Sequence, residues 1–187
     1  MKVKIQKDWA VLISQTGSEV IAIAQKTGFL PSLLVTNRLA EIHEKNLEIF
    51  GKHGVTIKTL PSKPSLEDYF CPELLEKKLI TLHGFLRIIP AEFFDKYEGE
   101  IYNGHPGLIT YYPELKGKDP QVRAWEGNYS TVGSVVHKVT EGVDEGEVVR
   151  FSAVPNTAKT LDEMYFILRD TSLIAWKNFF QDNWKFE

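Results

Sequence analysis

Apolar runs of strand length alternate with segments of helical periodicity through the first hundred residues. The strand-like runs are WAVLIS (9–14), SLLVTN (32–37), VTIKTL (55–60), LITLHG (79–84) and EIYNG (100–104). Helix-like segments cover residues 39–54, 71–78 and 90–97, and another follows the first strand after SQTGSE. Strands that alternate with helices predict a mainly parallel sheet with helices on both of its faces.

The pattern changes in the second half of the chain. Two β-rich runs, 131–140 and 146–154, are joined by the turn-like EGVDEG and predict a β-hairpin. From Thr160 to about Asn183 the pattern predicts one long helix, with Thr160 as its N-cap and Glu163 three residues later. The predicted fold class is therefore α/β. It has a twisted, Rossmann-like sheet of about seven strands, a hairpin in the C-terminal part and a long C-terminal helix.

Composition sets the size of the core and excludes some partners. With 187 residues, 43% of them hydrophobic, we expect a single domain over residues 1–187. The net charge of -3 gives no general attraction to nucleic acid or to an anionic membrane, and no apolar run approaches the roughly 20 residues that span a bilayer. A single cysteine, Cys71, excludes an intrachain disulfide and fits a reducing, cytoplasmic compartment.

Three polar residues fall where an α/β sheet places its ligands, beyond the carboxyl ends of strands. Asn103 lies near the end of the strand-like EIYNG, His105 directly follows it, and Asp144 lies in the turn between the two β-rich runs. Alone, a turn aspartate or a loop asparagine is usually turn chemistry. Together they offer an amide donor, a group that titrates near neutrality and a carboxylate. That combination suits stabilising an oxyanion while a proton is relayed.

A metal site is not predicted. His43 and Glu44 begin like a zinc-binding HExxH motif, but position 47 is leucine, so the second histidine ligand is absent.

The loop SQTGSE (14–19) leaves two interpretations open. It has one glycine and is neither a GxGxxG nor a Walker loop. Gly17 and Ser18 could present backbone N–H groups to an anion at the start of a helix. Equally, the loop could be an ordinary strand–helix turn with Ser18 as the N-cap. Glu19 suits the positive end of the helix dipole but would repel a phosphate.

Four motifs, in order along the chain, resemble those of the folate-dependent formyltransferases. They are SQTGS (14–18), GFLRI (84–88), NGHP (103–106) and GSVVHKVTEGVDEG (133–146). Their order and spacing agree over nearly the whole chain. The resemblance is closest to the phosphoribosylglycinamide (GAR) formyltransferases of purine synthesis.

This resemblance implies that a formyl group passes from 10-formyltetrahydrofolate, the co-substrate, to an amine. Asn103 and a protonated His105 would donate hydrogen bonds to the tetrahedral oxyanion. Asp144 would keep His105 charged and accept the ammonium proton through water. No covalent enzyme intermediate is needed, which fits the absence of a serine or cysteine nucleophile from this stretch.

The resemblance also implies binding residues. The folate pterin is expected between the segment 86–89 and the loop 139–144. The expected folate-contacting residues are Leu86, Arg87, Ile88, Ile89, Val139, Thr140, Glu141, Gly142 and Val143. The expected acceptor-binding residues are Gly17, Ser18 and Glu19. The first loop departs from the family's S-G-x-G-S-N pattern at Gln15 and Glu19, and Arg169 could bind a phosphate in its own way.

The departures leave the acceptor open. GAR is the first choice, and another amine, such as an amino sugar or a modified amino acid, is the alternative. Within the family, hydrolysis of formyltetrahydrofolate is a further possibility, with water replacing the amine. If the chain is not an enzyme, the alternative is a catalytically silent folate- or nucleotide-binding module. We expect small-molecule partners and either a monomer or a homodimer.

Overall fold

Seven strands form one sheet in the computed structural model, which describes residues 2–186. The strands are β1 (Lys4–Ile13), β2 (Phe29–Thr36), β3 (Thr56–Thr59), β4 (Leu79–Leu82), β5 (Glu100–His105), β6 (Thr131–Lys138) and β7 (Val148–Pro155). Their order in the sheet is β3-β2-β1-β4-β5-β6-β7. The predicted Rossmann-like α/β fold with a mostly parallel sheet is confirmed.

Helices connect most of the strands. They are α1 (Ser18–Thr27), α2 (Glu44–Lys52), α3 (Leu66–Tyr69), α4 (Pro72–Leu75), α5 (Ala91–Phe94), α6 (Pro120–Glu126) and α7 (Leu161–Asp182). The short helices α3 and α6 have no counterpart in the sequence prediction. No helix within residues 2–186 is long and apolar enough to cross a membrane.

The helix predicted over residues 39–54 is interrupted, so its first part was wrong. Residues Leu39–Glu41 form a 3₁₀ turn, and both Ile42 and His43 have extended backbone before α2 begins. The backbone N–H of His43 donates to the carbonyl of Thr16 at 3.2 Å. This tertiary hydrogen bond takes a donor that a continuous helix would use internally, and periodicity alone could not reveal it.

The chain contains two compact units. The first comprises residues 2–102 together with Phe186. In it, β1 pairs in parallel with both β2 and β4, and β2 pairs with β3. Strand β1 begins at Lys4, earlier than the predicted residue 9, because Lys4 pairs with Phe29 although residues 4–8 are mostly polar.

The second unit comprises residues 103–185. Strands β6 and β7 pair in an antiparallel hairpin from Thr131↔Pro155 onward, as predicted. Helix α7 packs on both strands, and the Ser134 hydroxyl on β6 donates to the Leu168 carbonyl at 2.7 Å. Thr160 caps α7 by accepting from the Glu163 N–H at 3.2 Å, which confirms that prediction. The single domain over residues 1–187 stays a prediction.

Candidate active site

The carboxylate of Asp144 is the centre of a polar cluster in the second unit. Its Oδ2 lies 3.2 Å from Nδ1 of His105 and accepts from the Gly117 N–H at 2.8 Å. Its Oδ1 lies 3.3 Å from Nε2 of His137 and accepts from Nδ2 of Asn103 at 3.3 Å. The three residues that the sequence prediction grouped, Asn103, His105 and Asp144, are therefore together in space.

Both ring nitrogens of His105 face oxygen atoms that only accept hydrogen bonds. Nδ1 faces the Asp144 carboxylate, and Nε2 lies 2.8 Å from the carbonyl oxygen of Leu115. Both contacts are hydrogen bonds only when each nitrogen carries a hydrogen. The arrangement around this buried ring therefore matches the charged imidazolium form.

His137 is a member of the cluster that the sequence prediction did not assign. Its Nδ1 lies 3.0 Å from the Lys138 carbonyl, and its Nε2 lies 3.1 Å from Nδ2 of Asn103. The side chain is 3% exposed. A titratable residue near the carboxyl end of a mostly buried strand was the available signal, because β6 ends at Lys138.

The surroundings of Asp144 favour its charged form. Burial alone would raise the pKa of Asp144, but hydrogen bonds from His105 and His137 and from the Gly117 N–H oppose it. The balance places the pKa well below its usual range. The carboxylate is therefore ionised throughout the neutral range, with positive or N–H donors on both of its oxygens.

Close packing explains two glycines beside this cluster. Gly104 separates Asn103 from His105, and a Cβ atom there would lie 2.6 Å from Nε1 of the buried Trp176. Beyond Asp144, a Cβ atom on Gly146 would collide with the carbonyl oxygen of Lys138. Asp144 itself has φ of 53°, a left-handed conformation that aspartate tolerates better than most residues. The chain is therefore closely constrained on both sides of the cluster.

The backbone of the segment after His105 also contributes to the cluster, and side-chain chemistry gave no signal for it. The Leu115 carbonyl and the Gly117 N–H are both main-chain groups, which every residue type carries. Gly117 has φ of 83°, a conformation that favours glycine.

The residues predicted to contact folate fall into two stretches, one in each unit. In the first unit, Leu86 and Ile88 are exposed and Ile89 is buried. The Arg87 Nε donates to the Ser62 carbonyl at 2.8 Å, so its guanidinium is already bound within the protein. In the second unit, the stretch comprises Val139, Thr140, Glu141, Gly142 and Val143 and connects β6 to the turn that carries Asp144.

The residues predicted to bind the acceptor lie at the start of α1 in the first unit. Gly17, with φ of 75°, is the N-cap, so the alternative of Ser18 as the N-cap was wrong. The Ser18 hydroxyl accepts from Oγ1 of Thr16 at 3.0 Å and from Nδ2 of Asn46 at 3.1 Å. Glu19 lies in the first turn of α1.

The carboxylate of Glu19 has a partner within the protein. Its Oε2 lies 2.9 Å from Nδ1 of the buried His83, whose Nε2 is 2.9 Å from Oγ1 of Thr81. An anion in the first turn is favoured by the helix dipole. The start of α1 therefore holds a carboxylate of the protein itself.

Residues 65–172 match the family model described as formyl transferase. The chain belongs to the formyl transferase family. It is therefore a formyltransferase-type enzyme, and the resemblance found in the four motifs is confirmed. The match includes Asn103, His105, His137 and Asp144.

The curated relatives that this formyltransferase chain matches are much longer than it is. It is 32% identical over 177 residues to the trifunctional purine biosynthetic protein adenosine-3 of Gallus gallus, covering 87% of this chain and 17% of that protein. The Homo sapiens protein of the same name is 32% identical over 167 residues, covering 82% and 16%. The chain thus spans about a sixth of the length of these two curated relatives.

Solved structures of similar size share the fold. Phosphoribosylglycinamide formyltransferase from Anaplasma phagocytophilum has a TM-score of 0.79 and 25% identity, covering 91% of this chain and 82% of that one. The enzyme of the same name from Streptococcus pneumoniae TIGR4 has a TM-score of 0.73 and 27% identity, covering 92% and 96%.

Potential metal ligands do not form a metal site in the described part of this formyltransferase chain. Within residues 2–186, no group of three or more histidine, cysteine, aspartate or glutamate side chains could hold a metal ion. The polar cluster itself combines one carboxylate with two imidazoles that are both bound to protein carbonyls.

We expect the stability of this formyltransferase chain to depend on Asp144 below about pH 4. Because the pKa of Asp144 is lower in the folded state than its unfolded value of about 3.9, the carboxylate stabilises the fold above that pH. This stabilising contribution decreases steadily as the pH falls below about 3.9. The difference in unfolding free energy between wild type and Asp144→Asn should narrow by about 1 kcal/mol per pH unit below about 4.

Urea unfolding of both proteins at pH 6 and at pH 3 measures this difference. Asp170→Asn is the matched control, because Asp170 is an exposed residue of α7. A difference for Asp144→Asn that is equal at the two pH values would contradict the depressed pKa.

Proposed function

We propose that this chain transfers the formyl group of 10-formyltetrahydrofolate to the amine of glycinamide ribonucleotide. The observation that carries the proposal is the cluster of Asn103, His105 and Asp144 in a chain of the formyl transferase family. The names of the relatives support the acceptor, since they are phosphoribosylglycinamide formyltransferases or purine biosynthetic proteins. The family's use of formyltetrahydrofolate supports the donor.

The cluster supplies what direct transfer to an amine requires. The amine nitrogen attacks the formyl carbon, a C–N bond forms, and the carbonyl oxygen becomes an oxyanion. Nδ2 of Asn103 carries two hydrogens and is placed to donate to such an oxygen. Asp144, ionised at neutral pH, accepts the ammonium proton through water. The oxyanion then collapses to a carbonyl as the bond between the formyl carbon and N10 of the folate breaks, and N10 gains the proton that Asp144 had accepted, again through water.

His105 donates directly to the oxyanion only after a rearrangement. Its Nδ1 stays on Asp144, while its Nε2 donates to the Leu115 carbonyl. We infer that Nε2 leaves this carbonyl when the oxyanion forms, since a charged acceptor attracts the imidazolium more strongly than a neutral one. The ionised Asp144 stabilises the imidazolium while the oxyanion forms.

The binding residues rest on the resemblance. For folate we propose the two stretches 86–89 and 139–143. The exposed side chains of Leu86, Ile88 and Val143 favour this, because apolar surface of that kind suits a flat ring. For the acceptor we propose Gly17, Ser18 and Glu19. We also propose a cytoplasmic location and a monomer or homodimer.

An acceptor-dependence assay tests the function. We expect formation of tetrahydrofolate from 10-formyltetrahydrofolate, followed by absorbance, to require glycinamide ribonucleotide and to be at least tenfold slower with amino sugars. Asp144→Asn serves as the inactive control for background hydrolysis. Equal rates with and without an amine would instead identify a hydrolase. Binding of folate without turnover would identify a binding module, and preference for another amine would replace the proposed acceptor.

A further inference from the structure

Arg123, which lies outside the polar cluster, binds the loop 114–118 that contacts the cluster. Arg123 lies on α6, and its guanidinium donates to a series of main-chain carbonyls in residues 114–118. The accepting carbonyls belong to Glu114, Leu115, Lys116 and Lys118, with Lys116 at 2.7 Å and Leu115 at 3.3 Å. The guanidinium has five N–H donors in a fixed plane, so one side chain can fix several consecutive peptide groups.

The other side of the same loop touches the reacting groups. The Leu115 carbonyl accepts from Nε2 of His105 at 2.8 Å, and the Gly117 N–H donates to Oδ2 of Asp144 at 2.8 Å. Arg123 thus binds the loop from one side while the loop orients His105 and Asp144 from the other. The Leu115 carbonyl is the shared atom, since it accepts from both Arg123 and His105.

This sharing matters when His105 turns toward a substrate. A carbonyl oxygen has two lone pairs, and here one receives His105 and the other Arg123. Leu115 is buried. A buried carbonyl that lost its only donor would oppose the movement of His105. With Arg123 present, the carbonyl keeps a charged donor after His105 has left.

We propose that Arg123 is a positioning residue for formyl transfer, which makes this inference rest on the proposed function. It fixes the loop 114–118. It also keeps its hydrogen bond to the Leu115 carbonyl when Nε2 of His105 moves to the oxyanion. Arg123 acts on His105 and Asp144 through the loop, whose Leu115 carbonyl and Gly117 N–H bind them.

The loop has a second attachment, which makes the proposal testable in a folded protein. The Tyr129 hydroxyl donates to Oε1 of Glu114 at 2.6 Å, and the rings of Tyr112 and Tyr129 stack with centroids 4.1 Å apart. These contacts keep the loop near its place when Arg123 is replaced. Loss of Arg123 should therefore alter the orientation of His105 more than it alters the fold.

The variants are Arg123→Met, which keeps the stem and removes all donors, and Arg123→Lys, which keeps the charge. We expect kcat of Arg123→Met to fall by about 10- to 100-fold with KM changed by less than about threefold, because small misplacement of a catalytic group is costly. Arg123→Lys should recover part of kcat. Arg150→Met is the matched control, since Arg150 pairs with the half-exposed Asp182 in the same unit.

Nuclear magnetic resonance of the free protein gives a readout that does not need substrate. In Arg123→Met we expect the amide signal of Gly117 and the ring nitrogen signals of His105 to shift, and in Arg150→Met we expect both to stay in place. If these signals shift while wild type itself transfers no formyl group, positioning of the cluster stands and the proposed function fails. Unchanged signals, or shifted signals with unchanged kcat in an active enzyme, overturn the proposal.

Discussion

Replacing Asp144 with asparagine is expected to lower kcat for formyl transfer by about 10³. The asparagine has the same shape but no charge, so the imidazolium of His105 loses its counterion at 3.2 Å. It also cannot accept the ammonium proton. One of its positions becomes an N–H₂ group that faces a donor, either the Gly117 N–H or Nδ2 of Asn103. Catalysis thus loses a base and an orienting charge together.

The control for Asp144→Asn is a variant that replaces a carboxylate by an amide away from the cluster. Asp170→Asn removes an exposed carboxylate from α7 in the same unit and should keep kcat within about twofold. Steady-state kinetics with 10-formyltetrahydrofolate and glycinamide ribonucleotide measure both variants, and circular dichroism checks their folding. A folded Asp144→Asn protein with kcat within about threefold of wild type would remove Asp144 from the mechanism.

Patterns that repeat along the chain predicted most of the fold. The strand-like apolar runs fall on β1 to β7, and the turn EGVDEG between two β-rich runs predicted the hairpin. Hydrophobic periodicity reports burial, so elements buried on one or both faces are visible in the sequence. Thr160 followed by Glu163 predicted the start of α7 because capping is a local interaction.

Features that depend on distant residues were not predictable in the same way. The extended backbone at Ile42 and His43 follows from a hydrogen bond to Thr16, which lies far away in sequence. Strand β1 begins in a polar stretch because it pairs with β2, and pairing leaves no mark on the polarity of a single strand. These elements required tertiary contacts to define their boundaries.

The sequence predicted the main proposed catalytic side chains of the candidate site but not the main-chain groups that bind them. Asn103, His105 and Asp144 could be grouped because their chemistry is distinctive and strand ends locate ligand sites. His137 lay within a motif that was recognised, yet a buried histidine is usually a satisfied core residue. Leu115 contributes its main-chain carbonyl, and the Arg123 side chain binds main-chain carbonyls, so no residue pattern indicates either contact.

The second large effect is expected for Asn103→Ala, with kcat lower by about 10² to 10³. Alanine cannot donate to the oxyanion, and it also removes the amide that binds Oδ1 of Asp144 at 3.3 Å and faces His137. Since this stabilisation develops only in the transition state, KM should change much less than kcat. Asn183→Ala, at the exposed C-cap of α7, is the matched control and should leave kcat unchanged.

Asn103→Asp separates hydrogen-bond donation from shape. Aspartate fills the same volume, yet it has no N–H group and places a second carboxylate beside Asp144. If Asn103 acts as a donor, this variant is at least as slow as Asn103→Ala. A variant nearly as fast as wild type would show that donation by Asn103 is not needed. The double variant Asn103→Ala with Asp144→Asn should lose less than the product of the single effects, because the two groups stabilise one transition state. Fully multiplicative losses would show that the two residues act in separate steps.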